Sequence, residues 1–340
     1  MKIQLLPVGE QVMVITGASS GIGLVTAKQA AAKGARVVLN ARNEQDLLRA
    51  VDEIRAAGGR ALHVAGDVSD PETVERTAEA AEAEFGRIDT WVNNAAVSLY
   101  GRATQLPVAE MRRQMDVNYW GQVYGSLAAV RHLRQRGGAL INVGSALSDR
   151  AIPLQGNYCA AKHALKAFTD ALRMELEDDG VPVSVTLVKP ASIDTPFFEK
   201  AKTYLGVEPQ PVPPVYAPEV VAEVILEAAR RQIREIIAGG SGAMLSAARF
   251  APRTADLYME RFTFKGQKTD TPASPERPHN LFEPVSSDGG ERGSHWEGRT
   301  RESSMYTKAM LHPVAAAGIL ASVVGFGMWR LAPRRGSGRP

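Results

Sequence analysis

The sequence predicts an α/β chain: a doubly wound parallel sheet of about seven strands with helices on both faces. Three observations carry that prediction. Short β-branched apolar runs alternate with longer stretches of helical periodicity from Gln11 to Ala238. The turns between them are short, as right-handed crossovers between neighbouring parallel strands allow. A glycine-rich loop, Thr16-Gly17-Ala18-Ser19-Ser20-Gly21-Ile22-Gly23, joins the first run to the first helix.

Taken in order, Gln11 to Ile15 reads as a buried strand and Leu24 to Lys33 as the helix after the glycine loop. Arg36 to Asn40 is a second strand, and Asn43 to Ala57 a helix with Asn43 at its N-cap. Ala61 to Ala65 is the third strand, and Asp70 opens a helix that runs to Phe85. Thr90 to Asn93 follows as the fourth strand, with a long helix from Pro107 to Gln135. Strand Ala139 to Val143 precedes a helix over Tyr158 to Glu177, then come strand Ser184 to Val188, helix Pro218 to Arg231 and strand Glu235 to Ala238. Residues 1–242 are therefore read as one catalytic domain.

Beyond Gly240 the character changes. Residues 243–265 read as a helical extension with Leu245, Phe250, Leu257, Tyr258 and Phe262 as its apolar anchors. Residues 266–312 are rich in Pro, Gly, Ser and charge, and are read as a disordered linker. Val314 to Trp329 holds 16 residues without a charge, close to the ~17 at the lower end for a spanning helix. A membrane helix is expected over 313–333, followed by a basic tail, 334–340; a small docked or surface helix is the alternative. No cleavable signal peptide is visible, and a cytoplasmic catalytic domain held to a membrane by its C-terminus is expected.

Composition narrows the function. Hydrophobic residues make up 44% of the 340, which supplies ample core. Met1 to Glu260 carries 28 Lys/Arg against 30 Asp/Glu, so the main body lacks a nucleic-acid-binding footprint. Cys159 is the only cysteine, which excludes an intrachain disulfide or a thiolate cluster, and His63, His132 and His163 lack metal-ligand spacing. No metal is expected.

The chemistry centres on Tyr158 and Lys162, four residues apart and hence on one helical face. A phenol titrates near pH 10, and a nearby cation favours its ionised form, which suits acid–base work on a carbonyl or alcohol. In the glycine loop, Gly17, Gly21 and Gly23 allow a tight turn and close approach of backbone to phosphate, with the helix N-terminus offering N–H groups.

These motifs together resemble the short-chain dehydrogenase/reductase family, with its Rossmann-type fold, over roughly Val8 to Gly240. Thr16-Gly17-x-x-x-Gly21-Ile22-Gly23 is similar to that family's cofactor loop, and Asn93-Asn94-Ala95-Ala96 to its Asn-Asn-Ala-Gly element, with Ala96 for glycine. Asn118, Ser145, Tyr158 and Lys162 fall where the family places its catalytic tetrad. Lys189-Pro190-Ala191-Ser192-Ile193-Asp194-Thr195 resembles its Pro-Gly segment, with Ala191 for glycine. Alanine tolerates positive φ poorly, so both loops are expected to differ slightly from the family norm.

The resemblance implies that Tyr158 is the general acid/base, and that Lys162 lowers its pKa and bonds the nicotinamide ribose. It further implies that Ser145 orients the substrate oxygen and that Asn118 holds a water linking Lys162 to solvent. Cofactor contacts are implied at Gly17, Ser19, Ser20, Gly21, Ile22, Gly23, Asp67, Val68, Asn94, Ala95, Tyr158, Lys162, Pro190, Ile193 and Thr195. The tip of the second strand, Asn40-Ala41-Arg42, has no carboxylate to repel a 2′-phosphate, and Arg42 can pair with one, so NADP(H) is favoured over NAD(H). The expected reaction interconverts a small lipophilic carbonyl and its alcohol, in a homodimer or homotetramer, with Phe197, Phe198, Tyr204 and Leu205 lining the substrate pocket. The other reading is an NADP-binding regulatory or scaffold protein at a membrane.

Overall fold

A computed structural model describes residues 3–240, 242, 250–274, 276–286, 289–294, 296, 299–314, 316 and 318. The seven predicted strands are all present: β1 (Val12–Thr16), β2 (Arg36–Ala41), β3 (Arg60–Ala65), β4 (Thr90–Asn93), β5 (Gly138–Val143), β6 (Val183–Pro190) and β7 (Glu235–Ala238). They form one sheet in the order β3-β2-β1-β4-β5-β6-β7, parallel throughout. The order reverses beside β1, so a crevice opens at the carboxyl ends of β1 and β4, where open α/β sheets bind ligands.

Period-two alternation along the strands sorts the core into two layers. Met13, Ile15, Val37, Leu39, Ile141 and Ile236 face α1 (Gly21–Ala32), α2 (Glu44–Ala56) and, later in the chain, helix Pro218–Arg230. Val12, Val14, Val38, Trp91, Leu140 and Val185 face the other way, onto α3 (Pro71–Phe85) and the two long helices that follow it. Asn43 caps α2 as expected, accepting from the Asp46 amide at 3.2 Å, and Asp70 caps α3.

The expected helix over 107–135 is interrupted. It forms as α4 (Val108–Met115), a π-type turn (Asp116–Trp120) and α5 (Gly121–Leu133). Then come α6 (Gly156–Asp178) and α7 (Pro218–Arg230). In the extension, α8 covers Pro252–Gly266. Its buried residues are Met259 and Thr263, whereas Phe250, Leu257, Tyr258 and Phe262 are exposed, so the expected anchors are not the ones that pack; Leu245 lies outside the described residues.

Residues 266–312 differ most from expectation. Lys268–Pro272 pairs antiparallel with Val207–Pro209, Leu281 is fully buried, and a further helix, α9 (Met305–Leu311), docks on α7 and β7. Ser304 Oγ donates to the Gly239 carbonyl at 3.0 Å, Gly239 N donates to Thr307 Oγ1 at 2.8 Å, and Leu311 joins the main core. The described part of this segment is thus a packed strap rather than a free linker. Among the described residues no helix is long and apolar enough to cross a membrane. The helix expected over 313–333 and the tail 334–340 lie, beyond residue 318, outside the described residues.

Candidate active site

The glycine loop owes its spacing to close packing. Gly17 and Gly21 hold φ of 65° and 54°, which other residues adopt at a cost. A Cβ on Gly23 would stand 2.3 Å from the Gly17 carbonyl oxygen, so no larger residue fits there. Asn94 clamps the loop from β4, its Nδ2 donating to the Thr16 carbonyl at 2.9 Å. Ala96 and Ala191 are not strained: among the described residues only Leu154 is a non-glycine at positive φ.

One cleft, with a cavity of about 390 Å³, runs from this loop across the sheet's carboxyl edge. Every expected cofactor contact lines it except Gly23, which packs behind Gly17. Of the expected tetrad, Ser145, Tyr158 and Lys162 line the same cleft.

Ser145 follows β5 and caps the short turn Ala146–Ser148; its Oγ accepts from Leu147 N at 3.0 Å, while Ser148 Oγ accepts from Ser145 N at 3.1 Å. Lys162 is 1% exposed and its Nζ donates to the Val143 carbonyl at 2.8 Å, 5.7 Å from the Tyr158 ring centre. Burial pulls its ammonium down to about 7. Burial also raises the Tyr158 phenol above its ordinary value, with a hydrogen bond to Ser145 opposing the rise. The phenol is therefore raised where a lowering was expected, because its desolvation outweighs the Ser145 hydrogen bond.

Asn118 sits in the π-type turn and is fully buried behind the cleft. Its Oδ1 accepts from Val97 N at 2.8 Å and its Nδ2 donates to the Val97 carbonyl at 2.9 Å. Those two bonds fix the loop after β4.

On the substrate side the wall is apolar: Phe197, Val212, Ile152 and, from α8, Tyr258 and Met259. The Phe197 ring stands 6.0 Å from that of Tyr158, edge to face. Tyr204 and Leu205 do not line the cleft; Tyr204 is exposed and donates to the Glu110 carboxylate at 3.0 Å. The α8 residues were not marked as site residues by the sequence, since nothing local ties a helix nearly a hundred positions downstream to Tyr158.

At the opposite end, Asp67 accepts from Ser69 N and Oγ at 2.9 and 2.8 Å and pairs with Arg113. Burial pushes its carboxyl up, but Ser69 and Arg113 outweigh this and hold it below the usual range. Arg42 stands 3.8 Å from Asp67 at the cleft wall. These parts suit a nicotinamide dinucleotide: a cradle that a Cβ would fill, an arginine at the β2 tip, and buried Asn40 and Asn280 side-chain oxygens without a partner among the described residues.

The family model for the short chain dehydrogenase matches residues 11–205, more than half of the chain. The chain belongs to the short-chain dehydrogenase family. An uncharacterized oxidoreductase of Bacillus subtilis, YxnA, is 45% identical over 98% of this chain and 93% of its own length, a likeness that runs far past residue 205. The short-chain reductase protein NovJ of Streptomyces niveus is 37% identical over 58% of this chain and 74% of its own. Among solved structures, an alcohol dehydrogenase from the archaeon Thermococcus sibiricus, complexed with 5-hydroxy-NADP, superposes with a TM-score of 0.59 at 26% identity, covering 67% of this chain and 95% of that one. A short-chain type dehydrogenase/reductase from Mycobacterium marinum gives 0.62 at 28% identity, covering 70% and 97%. This chain is thus an oxidoreductase of the short-chain dehydrogenase family, which binds a nicotinamide cofactor.

Proposed function

We propose that this short-chain dehydrogenase interconverts a lipophilic carbonyl compound and its secondary alcohol, using NADP(H). The observation that carries the reading is Tyr158 beside Ser145 on the cleft floor, facing an apolar wall. When bound, the nicotinamide group supplies or accepts the hydride. The Tyr158 hydroxyl gives its proton to the carbonyl oxygen during reduction and takes the alcohol proton during oxidation. Ser145 Oγ holds the same oxygen and polarises it. Lys162, held on the Val143 carbonyl, is the buried base or acid through which the Tyr158 proton is replaced. Phe197, Val212, Tyr258 and Met259 exclude water and favour an apolar substrate.

The test is NADPH oxidation measured over a panel of carbonyl compounds, from small polar ketones and sugars to steroid and long-chain substrates. Turnover confined to the apolar members is expected. Tight NADPH binding with no turnover on any member would instead favour a nucleotide-binding regulatory protein.

The cofactor preference rests on the β2 tip, where Arg42 stands and no carboxylate does. An ionic hydrogen bond contributes ~1.5–3 kcal/mol, so Arg42→Ala is expected to weaken NADPH binding by about tenfold or more beyond any loss it causes for NADH. Equal losses for both nucleotides, read by fluorescence titration, would remove Arg42 from the choice between them.

A further inference from the structure

We propose that the C-terminal strap completes the adenosine half of the cofactor site, with Asn280 as a direct contact, and that cofactor exchange requires residues 280–286 and 289–291 to lift. The proposal rests on the nicotinamide-dinucleotide reading of the cleft. Its first support is how the strap is held. The carbonyls of three consecutive residues are gripped by two arginines: Arg42 donates to Asn280 O and, at 2.7 Å, to Phe282 O, while Arg113 Nε donates to Leu281 O at 2.9 Å. Both arginines also pair with Asp67 on the cleft wall. Between them the Leu281 side chain is buried against Val68, Val97 and Val117.

The strap continues across the glycine loop at the N-terminus of α1. Asn43 Nδ2 donates to Val285 O at 3.0 Å, Gly21 N donates to Gly290 O at 2.8 Å, and Lys28 Nζ pairs with Glu291 at 2.7 Å. These anchors lie on β2, α2 and α1, so the described parts of the strap bridge the elements that frame the crevice. The cleft remains continuous beneath it, from Arg42 and Asp67 to Tyr158. The strap therefore roofs the pocket rather than filling it.

The second support is the Asn280 side chain. It is 9% exposed, lines the cleft near Arg42, Asp67 and Val68, and its Oδ1 has no partner among the described residues. A buried amide oxygen without a donor is costly and rare. The adenosine half of NADP(H) offers the donors such an oxygen needs, in its ribose 3′-hydroxyl and exocyclic amino group. The Asn280 backbone carbonyl is meanwhile used by Arg42, so one residue both docks the strap and faces the ligand.

Two measurements test this on the full chain. Asn280→Ala leaves the backbone carbonyl to Arg42, and is expected to raise the Kd of NADPH and of adenosine 2′,5′-bisphosphate about fivefold, as loss of one hydrogen bond does. The Kd of reduced nicotinamide mononucleotide, which lacks the adenosine half, should stay within twofold. Separately, Lys28→Cys with Glu291→Cys places two exposed thiols across the clasp; the native Cys159 is buried and stays out of the reaction. Joining them with a disulfide-containing bis-maleimide is expected to slow NADPH dissociation at least tenfold in stopped flow, with the parent rate returning on reduction of the linker. Unchanged affinities in Asn280→Ala, or unaltered exchange in the cross-linked protein, would overturn the proposal. If the parent protein binds neither NADPH nor NADH, the cofactor reading itself falls, and the strap's role with it.

Discussion

Tyr158→Phe is expected to cut turnover by about a thousandfold while leaving NADPH affinity as in the parent. Positioned acid–base groups contribute ~10²–10⁴ to rate, and the substitution removes only the oxygen that carries the proton. The ring keeps its edge-to-face packing on Phe197, and no main-chain bond depends on the hydroxyl, so the fold should be untouched. Because burial holds the phenol neutral well above pH 7, it is poised as an acid, and ionisation of Tyr158 itself should not limit reduction between pH 6 and 8. Alcohol oxidation needs the ionised phenolate to accept the alcohol proton and should therefore quicken as pH rises. Steady-state rates in both directions, with nucleotide binding measured by fluorescence, check this. Turnover within tenfold of the parent would remove Tyr158 from the acid–base role.

Lys162→Met should also abolish most turnover, yet raise thermal stability near pH 7. The folded-state pKa of about 7 lies below the ordinary 10.5, so between those values the unfolded chain binds a proton that the folded chain has released. Stability therefore rises with pH across that window, by at most ~1.4 kcal/mol per pH unit from this one group. Below pH 7 the full cost of burying an ammonium is present. Methionine removes that cost but leaves the Val143 carbonyl without its donor, a loss of about 1–3 kcal/mol. The net expectation is a gain of roughly 1–3 kcal/mol at pH 6.5–7, a few degrees in Tm for a domain this size. The gain should shrink to nothing near pH 9. Melting curves from pH 6.5 to 9.5 read the difference directly, and parallel curves for the two proteins would contradict it.

The sheet was legible because a strand buried on both faces must be apolar throughout, and such runs are short, local and framed by turns. The glycine loop was legible for a similar reason: positive φ and close backbone approach at Gly17, Gly21 and Gly23 admit one residue type. The strap was not. It holds on through the main-chain carbonyls of Asn280, Leu281 and Phe282, which every residue possesses, and through single buried side chains such as Leu281 and Leu311, about thirty positions apart. No periodicity marks such a segment, and its polar composition imitates disorder. The pKa direction at Tyr158 was misjudged for a different reason. Spacing on a helix reports proximity, whereas the sign of the shift depends on depth, which only the folded chain reveals.

The seat of Leu311 also has a consequence for how the protein is made. On the ribosome, β7 is finished by Ala238, whereas the helix that covers it and α7 comes some seventy residues later. At ~5–20 residues per second that interval lasts several seconds. During it a nascent sheet stands complete but with one edge uncovered, and the glycine loop, among the earliest parts synthesised, waits for Gly290 and Glu291. Late-made residues thus close over early-made ones, so the cofactor crevice takes its final form well after the sheet that frames it.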